Sequence, residues 1–470
     1  MNENDDKIPL PPPQVPPDIH ARPASARKIV GVLSMNRAIL RISLPTMAGW
    51  YLQIAFNLVD AFWVGKLGPA ALAAVGASNF ALWSIYTLCD IFSVGSSAIV
   101  ARRIGEERYQ RATEIAGQIV PSVLIGSIIV GILGLLTVER LYVYIGASAE
   151  ATRYGIDYLT VILLGTPLLF LSMWGESIFH ANGDAKTPMK IFAAALALNA
   201  VITPAFVFGW GPFPRMEVAG AAVGTVFSQA VAVVIGARVM VRKGLIPNEL
   251  RKYLPSLKIT AKVMRIGVPS SLTGFLFCVI YIFIARIAAG FGDEPLAALA
   301  VGHRLEELAW VPCAGLYMAA AAVVGQYLGM KDRKSAYRAG WRSVQFGLII
   351  VGLVGILYFF FGKYMVLPFS SDVKVLALGA EYLRINAPAL LFMATGIILT
   401  GAFSGAGATI IPMLITVPII ALRIPLSIYF AKNLGYAETG IWYALALSTV
   451  IRGIIMAAAY SRKNWLKKVV

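Results

Sequence analysis

One aspartate stands in the stretch QIAFNLVDAFWVGKLG (residues 53–68), which is otherwise largely apolar. Gln53, Asn57 and Asp60 are spaced i, i+4 and i+7, so they share one face of a helix. If this run crosses a membrane, the polar stripe should face protein or water rather than lipid. Burial penalises the charged form of a carboxylate, so Asp60 could exchange a proton or hold a cation. The alternative is that Asp60 is simply solvated near the membrane surface.

The composition favours a membrane protein. Of 470 residues, 58% are hydrophobic and only 14% are charged, whereas soluble domains carry about 25% charged residues. The three cysteines are scattered through apolar runs and provide neither a metal-binding spacing nor a disulfide framework. Residues 1–37 are proline-rich and polar and lack an apolar core segment, which predicts a disordered cytoplasmic tail rather than a signal peptide.

Apolar runs predict about twelve membrane spans, because about 20 apolar residues cross a bilayer as a helix. The predicted spans are 38–63, 71–100, 113–136, 157–181, 187–209, 218–240, 266–290, 295–326, 342–361, 377–403, 409–430 and 438–460. Most of the 41 lysines and arginines fall in loops on the side of the two termini. This bias predicts cytoplasmic termini in a plasma (inner) membrane. It also accounts for the net charge of +17 without a nucleic acid partner.

The two halves of the chain repeat each other. One constant offset, which we call the repeat offset, aligns Pro45 with Pro269 and Gly183 with Gly407, among many other pairs. Six spans return the chain to its starting side, so the copies are parallel and related by a pseudo-two-fold axis along the membrane normal. The repeat offset aligns Asp60 with Ile284, so only the first copy carries this carboxylate.

The repeat predicts an all-α polytopic membrane protein of two parallel six-helix bundles with a cavity between them. The predicted boundaries are an N-lobe at 38–242, a cytoplasmic linker at 243–262 and a C-lobe at 263–470. The lipid bilayer is then the main partner, and we expect a monomer.

Several stretches resemble the multidrug and toxic compound extrusion (MATE) family. In the first half they are NLVDAFWVGKLGPAALAAVG, VARRIGEERYQRA and FHANGDAKTPMKI, and in the second half GHRLEELAWVPCAGLYMAAAAVVGQYLG and ALRIPLS. The resemblance runs in order from residue 38 to residue 460. It implies a twelve-helix, two-lobed antiporter, not an enzyme. Such proteins export organic, mostly cationic compounds against an inward flow of protons or sodium ions, and they need no other cofactor.

The resemblance also implies roles for residues of the first helix. Asp60 matches the family's coupling carboxylate, and Gln53 matches a polar residue that lines the N-lobe cavity. Pro45 matches a proline where the helix bends, and proline does remove an internal hydrogen bond.

Further ligands of the coupling ion are implied on the fifth and sixth helices. Asn199 and Thr225 match residues of the same site, while Thr203 stands where many members have a second aspartate. A sodium ion at Asp60 and Asn199 would therefore be held by one carboxylate and neutral oxygens. A proton needs Asp60 alone, so both coupling ions stay open.

Other polar residues within the spans are candidates for a substrate cavity. The candidate set is Gln53, Asn57, Asp90 and Glu306. Asp90 could equally be a buried protonated acid, and Glu306 could belong to a structural ion-pair cluster with its neighbours in HRLEEL. Glu176 is interpreted as structural.

Two other functions compete with cation export. A lipid-linked saccharide flippase of a related superfamily would have a strongly basic cavity, whereas the candidate cavity residues here are acidic or neutral. A polytopic membrane enzyme needs a buried histidine with a partner, and His303 has no obvious one in the sequence.

Overall fold

The structure is a computed structural model and describes residues 30–31, 33–145, 149–370 and 372–467. Residues 1–29 of the predicted tail 1–37 lie outside the described residues, so their disorder stays a prediction, whereas the first helix already begins at Met35.

The described residues form a bundle of helices. We call helices α1–α7 the N-lobe and helices α8–α15 the C-lobe. The N-lobe helices are α1 (Met35–Gly65), α2 (Pro69–Gly105), α3 (Tyr109–Ile145), α4 (Ala149–Leu164), α5 (Thr166–Ala181), α6 (Lys186–Phe208) and α7 (Glu217–Arg242). The C-lobe helices are α8 (Leu257–Ala289), α9 (Asp293–Gly329), α10 (Arg333–Val366), α11 (Val373–Asn386), α12 (Ala389–Gly405), α13 (Ile410–Ala421), α14 (Arg423–Ile428) and α15 (Thr439–Ser461).

The predicted class of twelve-span, all-α membrane protein is confirmed. Within the described chain, nine helical segments are long and apolar enough to cross a membrane, and two bent helix pairs raise the number to 11. Helix α1 adds the twelfth span. It is 31 residues long, which suffices to cross a bilayer, although its polar stripe makes it less apolar than the others.

Two spans predicted as continuous helices, 157–181 and 377–403, are in fact broken. Helices α4 and α5 meet at an angle of 55°, and α11 and α12 meet at 59°. Pro167 follows the first break and Pro388 lies in the second. Proline lacks an amide hydrogen and disfavours helical geometry in the residue before it, which explains both breaks. The eleventh span is one helical segment, Ile410–Asn433, in which α13 ends at Ala421 and α14 continues into a π-helical turn at Tyr429–Asn433.

Each lobe has its own hydrophobic core, but α1 and α8 are shared between them. Ile39 and Ile42 at the start of α1 pack in the C-lobe core, whereas Val263 and Ile266 at the start of α8 pack in the N-lobe core. Both helices then return to their own lobes. A movement of one lobe against the other must therefore bend or shift these two helices.

The lobes pack tightly at the end of the bundle that carries the 243–256 linker, which we call the linker end. A methyl group on Gly267 of α8 would collide with the carbonyl of Ile91 in α2, and one on Gly105 would collide with that of Gln326. The Gln326 amide also donates to the carbonyl oxygen of Ala181 at 3.0 Å. Small residues allow such close backbone approach between membrane helices, so the space between the lobes is closed at this end.

An ion pair fastens the turn between α5 and α6 to the end of α7. The Asp184 carboxylate accepts a hydrogen bond from Lys243 Nζ at 2.5 Å, and two more from the hydroxyl and backbone N–H of Thr187 at 2.7 and 3.0 Å. Burial by itself would raise the pKa of Asp184, but Lys243 and Thr187 hold it below its usual value. The charged form is therefore the one that stabilises the fold.

We expect Asp184→Asn to lower the free energy of unfolding by about 1–2 kcal/mol at neutral pH. A lowered pKa in the folded state gives stability that is present above the unfolded pKa and lost as pH falls through the folded pKa. The difference in unfolding temperature between variant and wild type, measured in detergent, should therefore shrink in acid. Glu249→Gln is the control, because it removes the more exposed ion pair with Lys252 at 3.0 Å. Equal unfolding temperatures of Asp184→Asn and wild type at neutral pH would contradict the prediction.

Candidate functional site

Asp60 lies in a part of α1 that packs beside α6, the helix of Asn199. Aromatic rings of the two helices meet on both sides of these residues along the chain. Ring centroids are 6.1 Å apart in both pairs, Phe56–Phe192 and Trp63–Phe208. Asp60 falls between the first members of these pairs and Asn199 falls between the second members. Both residues therefore lie within the packed stretch of the two helices.

The structure joins Asp60 to the sixth span. The Thr225 hydroxyl of α7 donates a hydrogen bond to Asp60 Oδ2 at 3.1 Å. The aspartate is only 7% exposed, and its Oδ1 has no hydrogen-bond partner among the described residues. Asp60 and Thr225, two of the four predicted coupling residues, are therefore in direct contact.

The other two predicted coupling residues lie buried nearby without hydrogen bonds. Asn199 and Thr203 are both 0% exposed, and neither the Asn199 amide nor the Thr203 hydroxyl has a partner in the described chain. Thr203 packs directly against Gly224, the residue before Thr225. Polar atoms left unpaired in a protein interior are unfavourable, so these oxygens are suited to a ligand.

Among the described residues, no basic side chain forms an ion pair with Asp60. The hydrogen bond that the described chain gives it comes from a neutral hydroxyl, and the groups that interact with it electrostatically include the phenols of Tyr86 and Tyr158. A buried carboxylate without a basic partner is neutralised by a proton or by a bound cation. Carboxylate, amide and hydroxyl oxygens are also the ligands that hard metal cations take. The donor set fits either ion.

The three residues of the predicted polar stripe on α1, Gln53, Asn57 and Asp60, do not share one environment. Asn57 is exposed, and its Oδ1 accepts a hydrogen bond from Gln53 Nε2 at 3.3 Å. Gln53 lines a cavity in the linker half of the N-lobe, while Asp60 is buried above it. These three residues therefore do not form one continuous wall.

This N-lobe cavity has a volume of about 330 Å³. Its lining includes Pro45, Trp50, Gln53, Tyr86, Glu176, Phe179, His180, Phe192, Gln229 and Tyr253. Glu176, interpreted from sequence as structural, is the acid in this lining. Its Oε1 lies 4.0 Å from His180 Nε2, which is also 3.2 Å from the Thr46 hydroxyl.

The two remaining cavity candidates lie elsewhere. Asp90 on α2 is close to Tyr317 of the C-lobe, and Glu306 on α9 is close to Tyr382 and Arg423. Neither acid lines the 330 Å³ cavity. Their assignment to a substrate cavity stays a prediction.

Two arginines of the C-lobe, one buried and one partly buried, were not among the candidates from the sequence. Arg423 begins α14 and is 4% exposed, and Arg452 lies in the middle of α15 with a buried Nε that has no partner among the described residues. A signal was present, because the repeat offset places Arg423 at the position of Asn199. The candidate residues chosen from the sequence, which are acidic or neutral, therefore omit two basic side chains of the C-lobe.

Comparison with known proteins places the chain in a family. The MatE family model matches twice, at residues 45–205 and 269–429, and the two matches are related by the repeat offset. The chain is 26% identical over 450 residues to a protein of Thermotoga maritima named "Probable multidrug resistance protein NorM", covering 93% of this chain and 95% of that protein. It is 28% identical over 351 residues to a protein of Shewanella oneidensis named "FAD transporter", covering 74% of this chain and 77% of that protein.

The fold agrees with a solved transporter. A structure described as the outward-facing conformation of a multidrug resistance MATE family transporter of the MOP superfamily superposes with a TM-score of 0.87. It is 25% identical, and the match covers 95% of this chain and 99% of that one. With both halves matched by the family model, the chain belongs to the MatE family and is a MATE family efflux transporter.

Proposed function

We propose that this transporter is a secondary active antiporter that exports small organic, mostly cationic compounds in exchange for protons or sodium ions. The observation that carries the proposal is the buried Asp60, which is hydrogen-bonded to Thr225, whose neighbour Gly224 packs against Thr203. The buried oxygens of Thr203 and Asn199 have no partner among the described residues. Such a group can carry one positive charge at a time, whether a proton, a sodium ion or the charged part of a cargo molecule. The names of its relatives, a multidrug resistance protein and an FAD transporter, support small organic cargo.

The proposed mechanism is alternating access. The lobes are packed together at the linker end. The distribution of basic residues supports a cytoplasmic location for this end, and in that orientation the arrangement is the outward-facing one. Here Asp60 takes up the coupling ion and the cationic cargo leaves. The lobes then rock, and the ion is released to the cytoplasm. Because α1 and α8 pack in both cores, their prolines Pro45 and Pro269 are suitable places for the bend.

Transport in vesicles tests this function. Purified full-length protein is reconstituted in liposomes, and uptake of the fluorescent cation ethidium is followed after a proton or sodium gradient is imposed. We expect uptake only when a gradient is present, and its collapse when an ionophore dissipates that gradient. Ethidium movement at the same rate with and without both gradients would contradict antiport.

The location and assembly of the protein are part of the proposal. We place the chain as a monomer in the plasma (inner) membrane with both termini in the cytoplasm, in accord with the bias of basic residues. A green fluorescent protein fused to the C-terminus should be fluorescent in cells, since this reporter does not fold after export in unfolded form. A fusion protein that is present at normal abundance but is not fluorescent would show that the C-terminus lies outside the cytoplasm.

A further inference from the structure

The coupling site of the N-lobe has a counterpart in the C-lobe with the opposite charge. At the repeat offset, the N-lobe positions Asn57, Asp60, Asn199, Thr225 and Ser228 correspond, in order, to Tyr281, Ile284, Arg423, Thr449 and Arg452. The carboxylate is replaced by an apolar side chain, and two neutral polar side chains are replaced by arginines. We call the group Tyr281, Arg423, Thr449 and Arg452 the arginine cluster.

The side-chain hydrogen bonds that Arg423 makes within the described chain go to neutral groups. Its Nη1 donates to the Tyr281 hydroxyl at 3.1 Å, its Nη2 to Thr449 Oγ1 at 2.9 Å, and its Nε to Ser448 Oγ at 2.8 Å. The side chain is 4% exposed. These hydroxyls orient the guanidinium group but do not neutralise its charge.

The second arginine adds to this positive charge. Arg452 interacts electrostatically with Arg423, and its Nε is a buried donor without a partner in the described chain. The hydroxyl of Ser427, one turn after Arg423, is fully buried and also unpaired.

Among the described residues, Glu306 is the acid that lies beside the arginine cluster. Glu306 interacts electrostatically with Arg423. The His303 ring packs edge-on against the Tyr281 ring, with the ring centroids 4.6 Å apart, and its buried Nε2 has no hydrogen-bond partner among the described residues. Two arginines beside one glutamate leave an excess of one positive charge, even with His303 neutral. An unpaired charge inside a membrane protein is strongly unfavourable unless an opposite charge joins it.

We propose that the arginine cluster is an anion-binding site that takes the carboxylate or phosphate group of the cargo. The planar guanidinium group presents paired donors that match these groups, which favours arginine for such recognition. The inference rests on the proposed export of organic compounds and specifies the class of compound that is exported. The preferred cargo carries an anionic group for the C-lobe in addition to a positive group for Asp60, so it is zwitterionic rather than purely cationic.

Binding of two matched dyes to the purified full-length protein tests the inference. Rhodamine 110 carries a positive xanthene and a free carboxylate, and rhodamine 123 is its methyl ester. By fluorescence anisotropy in a nonionic detergent, we expect wild type to bind rhodamine 110 about tenfold more tightly or better, the effect of one charge-assisted hydrogen bond. Arg452→Gln should remove this preference and leave rhodamine 123 binding unchanged, whereas Arg452→Lys should keep part of it. Arg286→Gln, which removes an exposed arginine of α8, should change neither affinity.

Other results would overturn the inference. If Arg452→Gln weakened the binding of both dyes equally, or changed neither affinity, Arg452 would have only a structural role. If Arg452→Gln does not fold, competition on the wild-type protein tests the inference instead. Inorganic phosphate should displace rhodamine 110 and not rhodamine 123, and any other result would contradict an anion-binding site. Loss of the dye preference when phosphatidylglycerol is added would assign the site to a lipid headgroup instead of cargo. Since no gradient is imposed, failure here is distinguishable from failure of antiport.

Discussion

Asp60→Asn should reduce gradient-driven export to the background of protein-free vesicles while the protein remains folded and inserted in the membrane. Asparagine has nearly the shape of aspartate and can still accept the hydrogen bond from Thr225. It cannot bind and release a proton, and it cannot supply the negative charge that attracts a cation. Ethidium uptake under an imposed gradient measures the effect. The amount of monodisperse protein recovered in detergent reports folding.

Asp157→Asn is the matched control for this variant. It makes the same substitution at an exposed position of α4 in the same lobe, and we expect transport at the wild-type rate. If Asp60→Asn also transported at the wild-type rate, the coupling role of Asp60 would be wrong.

Export by the wild type should follow a pH gradient and be indifferent to a sodium gradient at fixed pH. The predicted site has a single carboxylate, because Thr203 and Asn199 contribute neutral oxygens. Hard cations are bound more weakly as the charge of their ligands falls, whereas a proton needs Asp60 alone. Proton and cationic cargo then compete for one charge. Binding of ethidium should therefore weaken as pH falls and Asp60 becomes protonated.

Thr203→Asp provides the converse of this experiment. A second carboxylate beside the first would bind sodium more strongly, so uptake by this variant should acquire a dependence on the sodium gradient. Thr203→Asn, which adds an uncharged group of similar size, should not acquire one. Wild-type export that responds to a sodium gradient and ignores a pH gradient would contradict proton coupling.

Local sequence properties determined the framework of this protein. Apolar runs of sufficient length predicted the spans, and the repeat offset predicted two related halves, which the family model matches separately. Asp60 was recognisable because a carboxylate within an apolar run is unusual, whichever helices pack against that run. Each of these inferences uses neighbouring residues or the order of the chain, so no knowledge of the packing was required.

Only the tertiary structure decided which side chains meet. It paired Asp60 with Thr225, left Asn199 and Thr203 buried without partners, and placed the starts of α1 and α8 in the cores of the opposite lobes. In a membrane protein, side chains facing lipid and side chains facing the core are both apolar, so hydropathy does not reveal which face of a helix is buried. Arg423 and Arg452 illustrate this, because lone arginines on separate helices become a cluster only when those helices pack together.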